Sequence, residues 1–193
     1  MTTVGFESVE VGVFDASGEN ITETFDWRDE NGGTVNMTIT GLEPTISRVS
    51  ASNKTVWQSK RGTGQVTNTF EAFNPPKDDL DIVLGRDVDL NNSAWVGEDT
   101  QAPFVAMIAK SSDVDGNPVY FALTKGLMGY NEIALTTKMQ GEEQTPSNTA
   151  LTGSWQDATI DGKSRVFGVH KGTEGYDAFR QLVFPGLPTE PVA

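Results

Sequence analysis

Two apolar runs separated by an Asp-Gly pair constrain the fold of this 193-residue chain more than any other feature. Apolar, aromatic and β-branched residues occupy positions 104–109 and 119–123, and Asp115 and Gly116 lie between the two runs. Asp-Gly between such runs is the strongest short-range signal for a β-hairpin. The first run is apolar throughout, which is typical of a strand that is covered on both faces.

A break at residues 126–130 leads from the second run into a third one, residues 131–138. The sequence therefore predicts a three-stranded antiparallel meander over residues 102–138. We expect the rest of the chain to pack on this meander or to extend it.

Short runs of alternating polarity, bounded by Gly, Asn, Asp or Pro, recur along the rest of the chain and predict further strands. The clearest lies at residues 34–40, where Val35, Met37 and Ile39 share one face and Thr and Asn residues face the other. The other predicted strands are at residues 1–15, 21–28, 46–50 and 65–73, with a final pair at residues 151–155 and 165–169 joined by a turn at Asp161-Gly162. Residues 53–64, which include Trp57, and residues 86–101 are predicted to be loops.

Residues 76–85 predict the one clear helix of the main domain. Leu80, Val83 and Leu84 are spaced to form one apolar face, and Gly85 is placed to end the helix. The sum is a mainly β fold, an antiparallel β-sandwich or partly closed barrel flanked by one short α-helix.

The last part of the chain has a different pattern. Tyr176, Phe179, Leu182 and Val183 predict one face of a second amphipathic helix, and the prolines that follow predict an extended arm. We therefore expect a β-sandwich domain over residues 1–169 and a C-terminal helix with a proline-rich arm over residues 170–193.

The composition narrows the function classes. The formal net charge of −13 disfavours binding to nucleic-acid phosphates and to anionic membranes. The chain has no Cys and a single His, so disulfides, thiolate sites and His-based metal sites have almost no residues to form from. We expect neither a secretory signal nor a membrane span, because no basic segment precedes an apolar run and no apolar run is long enough.

Two loops carry partial motifs. Residues 113–117 resemble half of a calcium loop, but the twelfth position is Thr124 instead of Glu and the flanks predict strands, so we expect a hairpin turn. Residues 60–64 are basic and glycine-rich, but they lack the strand, helix and Lys-Ser/Thr order of a phosphate-binding loop. We predict a surface loop there.

No constellation of catalytic residues stands out. His170 has no partner for metal binding, and Asp78, Asp79 and Asp81 have the positions of helix-start and surface residues. The aromatic residues Phe104, Tyr120, Phe121 and Trp155 lie within predicted strands and are expected in the core. We therefore expect no enzymatic activity, no catalytic, cofactor-binding or metal-binding residues, and no cofactor.

Four short segments carry a family resemblance. Residues 102–106 have the sequence Ala-Pro-Phe-Val-Ala, and the return strand ends in Lys125-Gly126. Thr145-Pro146 precedes Leu-Thr-Gly at residues 151–153, with four residues in between that depart from the family's pattern. Together with the helix at residues 76–85, these segments resemble the major tail protein, or tail tube protein, of long non-contractile-tailed bacteriophages.

The resemblance implies a structural virion protein that self-assembles. Hexameric rings would stack into a hollow tube, strands of all subunits would form a continuous β-barrel around the lumen, and phage DNA would pass through without specific binding during genome ejection. Loops and termini would bridge adjacent rings. The implied partners are further copies of the chain and the tape measure, tail terminator and distal tail proteins. The implied location is the virion tail, and the host cytoplasm during assembly.

Elementary physics agrees with such an assembly. A head-to-tail interface builds rings or open stacks from one polypeptide, and exposed strand edges then serve as joints. Each of six copies would carry a formal charge of −13, and if some of these carboxylates line the lumen, they would repel DNA from its wall. We expect the assembly contacts at residues 34–40 and 87–99.

Two other functions fit the same composition. A carbohydrate-binding β-sandwich would use exposed tryptophans, and Trp57 and Trp95, in predicted loops, are better placed for sugar stacking than Trp27 and Trp155. A capsid decoration or tail-completion protein would share the fold.

Overall fold

A computed structural model describes residues 2–44, 46–59, 62–130, 132–133, 135, 137 and 147–187. These residues form an antiparallel β structure with two short helices, as the sequence predicts. The elements in chain order are β1 (Thr3–Phe14), β2 (Ile21–Trp27), β3 (Gly33–Thr40), β4 (Arg48–Ala51), β5 (Lys54–Gln58), β6 (Val66–Phe73), α1 (Lys77–Val83), β7 (Asp87–Val88), β8 (Ala94–Trp95), β9 (Val105–Asp113), β10 (Pro118–Tyr130), β11 (Thr149–Gln156), β12 (Ala158–Ile160), β13 (Lys163–Arg165), β14 (Phe167–Lys171) and α2 (Tyr176–Val183).

The predicted hairpin of the two apolar runs is confirmed as β9 and β10. Its turn depends on Asp113, whose carboxylate accepts hydrogen bonds from the backbone N–H groups of Asp115 and Asn117 at 2.9 and 2.8 Å. Gly116 has a φ of 82°, a conformation that glycine adopts without strain. The motif at residues 113–117 is therefore a hairpin turn.

The large sheet has the strand order β2-β1-β9-β10-β11-β6-β3, and β14 also pairs with β10. The long strand β10 joins its two halves. Residues 119–123 of β10 pair with β14, whereas residues 125–130 pair with β11. The sheet thus forms two layers that share β10. The first layer contains β2, β1, β9 and β14, and the second contains β11, β6 and β3.

The predicted meander is wrong in its third strand. β10 continues through Gly126 to Tyr130 without a break. Its partner in the second layer is β11, and the described residues between 131 and 138 (Glu132, Ile133, Leu135 and Thr137) belong to no strand. The other residues of that segment lie outside the described part of the chain. Glycine is needed at position 126 for a close approach, because a Cβ there would lie 2.5 Å from the carbonyl oxygen of Ser154.

Three smaller predictions are corrected. The loops are wrong in part: the loop expected at residues 53–64 contains β5, which pairs with β4, and the loop expected at residues 86–101 contains β7 and β8, which pair with each other. The two final strands do not pair with each other, because β11 and β14 both pair with β10 and the Asp161-Gly162 turn joins β12 to β13. In β3, a register shift beside Val35 leaves that side chain 46% exposed, whereas Met37 and Ile39 are partly buried.

The main core lies between the two layers. Trp27 and Phe70 stack in parallel at its centre, with ring centroids 5.8 Å apart, and both are fully buried. Helix α1 contributes Leu80, Val83 and Leu84 to the same core, as its apolar spacing predicts.

A second core lies between the outer face of the first layer and helix α2. Ala106 and Ile108 of β9 face this core, whereas Val105, Met107 and Ala109 face the main core, so β9 is covered on both faces as predicted.

The predicted apolar face of helix α2 is only partly buried. Val183 is buried and Tyr176 and Phe179 are half-buried, but Leu182 is 39% exposed. The predicted arm begins in packed structure, because Phe184 is buried and the carbonyl of Pro185 accepts a 2.7 Å hydrogen bond from the N–H of Ile21. Residues 188–193 lie outside the described residues. The division into domains at residue 169 stays a prediction.

The prediction of a surface position for Asp81 is wrong, because Asp81 is a buried carboxylate in α1 with two cationic partners. Its oxygens lie 2.6 Å from Lys77 Nζ and 3.1 Å from Arg86 Nη1. Burial alone would raise the pKa of Asp81, but the two ion pairs outweigh burial and hold the pKa below its usual value. The folded state thus favours the ionised carboxylate.

Asp81→Asn is expected to lower the free energy of unfolding by about 2 kcal/mol at neutral pH, because two cations lose a charged acceptor. The folded-state pKa lies below the unfolded value of about 4, so this contribution is full above about pH 4 and is lost as the pH falls through the folded-state pKa. Urea unfolding of both proteins at neutral pH and at about pH 3 measures the effect. The exposed Asp78→Asn on the same helix is the control, and a gap that does not narrow in acid contradicts the prediction.

Candidate assembly surface

The two layers differ in what covers their outer faces. Helix α2 packs on the outer face of the first layer. The outer face of the second layer is lined by hydroxyl side chains, and its residues alternate along the strands with those that enter the main core. We call this surface the hydroxyl face. It consists of Thr38 and Thr40 of β3, Thr67 and Thr69 of β6, and Thr152 and Ser154 of β11.

These residues lie opposite one another in two rows across the three strands. Thr38, Thr69 and Thr152 form one row, and Thr40, Thr67 and Ser154 form the other. The hydroxyl oxygens of Thr40 and Thr67 are 2.9 Å apart, within hydrogen-bond distance. The next row along the strands contains Asn36, Glu71 and Ala150, so these three rows carry one charged side chain. The face is therefore small, polar and nearly neutral.

The ends of the sheet present a second feature. β2 and β3 are the terminal strands of the sheet path, each hydrogen-bonded on one side to a described strand. Between β3 and the first layer lies an apolar groove of about 370 Å³, lined in part by Phe6, Met37, Ile39, Phe121 and Phe167. The Thr34 hydroxyl donates a 2.6 Å hydrogen bond to the Phe6 carbonyl beside this groove. Unpaired strand edges are the usual places where a further strand is added.

The hairpin of β4 and β5 forms a third feature. Every residue from position 48 to position 58 is exposed. Val49 lies opposite Trp57 in the ladder, and these side chains are 53% and 54% exposed. The turn residues Ser52 and Asn53 have positive φ values of 51° and 64°, as in the type I′ turns of two-residue hairpins. Asn53 between two short β-type runs was the available sequence signal for this hairpin.

The segment of β7 and β8 forms a recess with acidic and apolar walls. This acidic recess has a volume of about 370 Å³, and its lining includes Asp87, Glu98 and Asp99 together with Trp95 and Val96. Asp89 shapes the adjoining turn, because its carboxylate accepts hydrogen bonds from the N–H groups of Ser93 and Asn91 at 2.9 and 2.8 Å. These bonds, together with one from the Trp95 indole, hold the pKa of Asp89 below its usual value.

The structure places the other candidate residues as follows. Trp57 and Trp95 are exposed, as sugar stacking would require, whereas Trp27 and Trp155 are buried. Tyr120 and Trp155 are buried and Phe104 and Phe121 are half-buried, which confirms their packing role. Lys60 and Arg61 of the basic loop lie outside the described residues.

His170 lies on β14 under α2. Its ring stacks on Phe179, with centroids 5.3 Å apart, and also contacts Tyr120 and Tyr176. Asp113, apart from its role in the turn, pairs with Lys171 Nζ at 2.6 Å, and this ion pair and the backbone N–H of Asn117 hold its pKa far below the usual range. The side chains of His170 and Asp113 therefore both help to pack β14, His170 against α2 and Asp113 against the β9–β10 hairpin.

Two further findings concern the described part of the chain. It contains no group of three or more carboxylate or imidazole side chains that could hold a metal ion. Neither of its helices has the length and apolar content needed to cross a membrane.

A comparison with known protein families decides between the hypotheses. A family model described as phage tail tube protein matches residues 1–187. The chain belongs to the phage tail tube protein family. No curated protein matches the chain. The family match confirms the resemblance carried by the short segments around β9 and β10.

As a tail tube protein, the chain is a structural component of a bacteriophage tail. The family match includes β1 to β14 and α2. The hydroxyl face, the terminal strands, the β4–β5 hairpin and the acidic recess are therefore candidate surfaces for tube assembly. The sequence pointed to β3 and to the acidic segment. It missed the share of the hydroxyl face on β6 and β11, which depends on the pairing of strands far apart in the chain.

Proposed function

We propose that this tail tube protein forms hexameric rings that stack into a hollow tube, and that the hydroxyl face of each subunit lines the lumen through which phage DNA passes. The observation that carries the proposal is the nearly neutral outer face of the second layer, whose side chains are exposed or half-buried in the described structure. A helix covers the equivalent face of the first layer, so the two faces have different surroundings already within one subunit.

The chemistry of the hydroxyl face suits a channel for DNA. Its two rows contain only Thr and Ser side chains, and the row beside them adds Glu71. Binding of nucleic acid depends mainly on Lys and Arg contacts to phosphates. A wall of hydroxyl groups with a scattered carboxylate offers no such contacts, so DNA remains hydrated and slides past it.

The terminal strands give such a wall a means of closure. A strand edge of one copy, placed beside an edge of the next copy, would extend the sheet with ordinary backbone hydrogen bonds. Because this contact is head-to-tail, it can repeat around a ring. The resulting barrel would have the hydroxyl rows of every subunit on one side and the α2 helices on the other.

The remaining roles follow from this arrangement. The protein would be a self-assembling subunit of the virion tail with no catalytic chemistry of its own, present in the host cytoplasm until assembly. Its partners would be further copies, the tape measure protein inside the tube, and the tail terminator and distal tail proteins at its ends. The proline-rich residues 188–193 are proposed as an arm that contacts a neighbouring subunit.

The absence of Cys from the chain provides a clean test. Thr69→Cys places a thiol on the hydroxyl face, and Ser164→Cys places one on exposed β13. Negative-stain microscopy of the purified proteins should show rings or tubes with a central hole. In assembled tubes, the thiol at position 69 should be protected from a long-chain polyethylene-glycol maleimide and the thiol at 164 should remain reactive; in free subunits both should react.

Two results would count against the proposal. A strictly monomeric protein at high concentration, also in the presence of tail components, would refute the tube. Tubes in which the thiol at position 69 reacts as fast as in free subunits would show that the hydroxyl face is not the lumen wall.

A further inference from the structure

We infer that the β4–β5 hairpin of one copy docks in the acidic recess of another copy, and that this contact joins subunits head-to-tail. The inference rests on the proposed function, because it names the partner of two surfaces of a self-assembling subunit. Two elements, the hairpin and the β7–β8 segment that forms the recess, keep large apolar and charged side chains exposed in the described structure.

The first element is the hairpin. A two-stranded hairpin is marginally stable in water unless another surface covers one of its faces. Here every residue of β4 and β5 is exposed, and the apolar side chains of Val49, Val56 and Trp57 are 53%, 61% and 54% exposed. Such a cluster of large apolar side chains on a projecting element is typical of a surface that becomes covered on binding.

The charge of the hairpin region sets it apart from the rest of the chain. Residues 44–65 contain Arg48, Lys54, Lys60 and Arg61 and no Asp or Glu, in a chain whose net charge is −13. Arg48 and Lys54 are exposed, and neither forms an ion pair with another described residue. The hairpin is therefore a basic, apolar arm on an acidic protein, and its favoured partner is an acidic surface that also has apolar side chains.

The acidic recess has both properties. Asp87, Glu98 and Asp99 are exposed and form no ion pair with a described residue. Apolar side chains accompany them, with Trp95 62% and Val96 72% exposed.

The recess lining also includes the cation Arg86, which already has partners within its own subunit. Arg86 pairs with the buried Asp81 at 3.1 Å and lies over the Tyr130 ring, 5.0 Å from its centroid. The three carboxylates of the recess thus keep their negative charge available for the cations of another molecule.

Charge complementarity selects a second copy of the chain as the occupant. Hairpin and recess are separate surfaces of one subunit, each exposed in the described structure. A contact between two different surfaces of identical chains is heterologous, so a pair of copies joined in this way still offers one free hairpin and one free recess. Such a contact propagates along a stack.

A charge-reversal cycle tests the pairing. Arg48→Glu/Lys54→Glu reverses the hairpin, Glu98→Lys/Asp99→Lys reverses the recess, and the fourfold variant combines both. Opposed like charges at an interface cost several kcal/mol, so each reversal alone should raise the protein concentration needed for assembly about tenfold or more. The fourfold variant should return toward the wild-type concentration, because the attraction is re-formed with opposite sign.

Controls separate the contact from folding and from simple charge. Assembly is measured by sedimentation and microscopy, and thermal unfolding of the free subunits should be unchanged because the replaced side chains are exposed. Lys163→Glu on β13 makes the same type of change outside both surfaces and should leave assembly unchanged. Trp57→Ala should weaken assembly at every salt concentration, whereas added salt should weaken the wild-type contact.

Four outcomes overturn the inference. If the wild type assembles and both reversals leave assembly unchanged, the proposed tube stands and the hairpin contact does not. If the fourfold variant stays unassembled, the two surfaces are not partners. If the hairpin instead binds short duplex DNA, and Arg48→Glu/Lys54→Glu abolishes that binding without affecting assembly, the hairpin is a nucleic-acid arm. A wild type that never assembles refutes the proposed function and this inference together.

Discussion

Phe70→Ala is expected to lower the free energy of unfolding by about 4 kcal/mol, because it opens a cavity at the centre of the main core. Phe70 is fully buried. Its ring stacks on Trp27 and meets Phe6 edge-to-face, with centroids 5.8 and 6.0 Å away. The core contains side chains of both layers and of α1, so little of the cavity can be closed by a local shift.

The matched control lies on the same strand. Phe73 follows three residues later on β6, but its side chain points to the other face and is 41% exposed. Phe73→Ala should cost less than about 1 kcal/mol, because surface truncations have small effects. Urea unfolding followed by tryptophan fluorescence measures both variants. Similar losses for the two would mean that Phe70 is not the centre of the core.

Gly126→Ala is expected to destabilise the protein by about 3 kcal/mol through overpacking. The added Cβ would lie 2.5 Å from the carbonyl oxygen of Ser154 and 2.6 Å from the ring of Trp155. The carbonyl belongs to the ladder between β10 and β11 and cannot move without breaking the pairing of the second layer. The strain therefore acts on the point where the two layers join.

Gly129 on the same strand provides the comparison. A Cβ at that position meets no atom within 4 Å. Gly129→Ala should change stability by less than about 1 kcal/mol, and a small gain is reasonable because alanine restricts the unfolded chain. Thermal and urea unfolding of both variants test the contrast. Equal stability of the two alanine variants would contradict the close approach of β10 and β11.

The same glycine shows where prediction from sequence succeeds and where it fails. The β9–β10 hairpin was predictable, because its Asp-Gly turn and its apolar runs are local signals. Gly126 looked like a break, since glycine weakens a strand when it is considered alone. Glycine is needed there because of the Trp155 ring and the Ser154 carbonyl. Both belong to β11, which begins at Thr149, far from Gly126 in the sequence.

The candidate assembly surfaces also differ in how far the sequence could predict them. The acidic recess and the polar face of β3 were visible as composition and alternation. The hydroxyl face was not, because Thr38, Thr69 and Thr152 meet only through the register of three strands that are distant in sequence. Strand β4 was predicted at residues 46–50, but β5 was assigned to a loop. All of its residues are exposed, and a strand without an apolar face toward a core lacks the periodicity on which prediction depends.

The shared strand β10 restricts bending within each subunit, because it pairs with strands of both layers. Residues on both sides of Thr124 are held in ladders, and the Thr124 hydroxyl and amide bind the carbonyls of Arg165 and Val166 at 2.8 and 3.1 Å. Hinge motion between the two layers would have to break these hydrogen bonds, so we expect each subunit to be rigid. If the subunits stack as proposed, the flexibility of a long tail would lie in the contacts between subunits, which could tilt while each subunit keeps its shape.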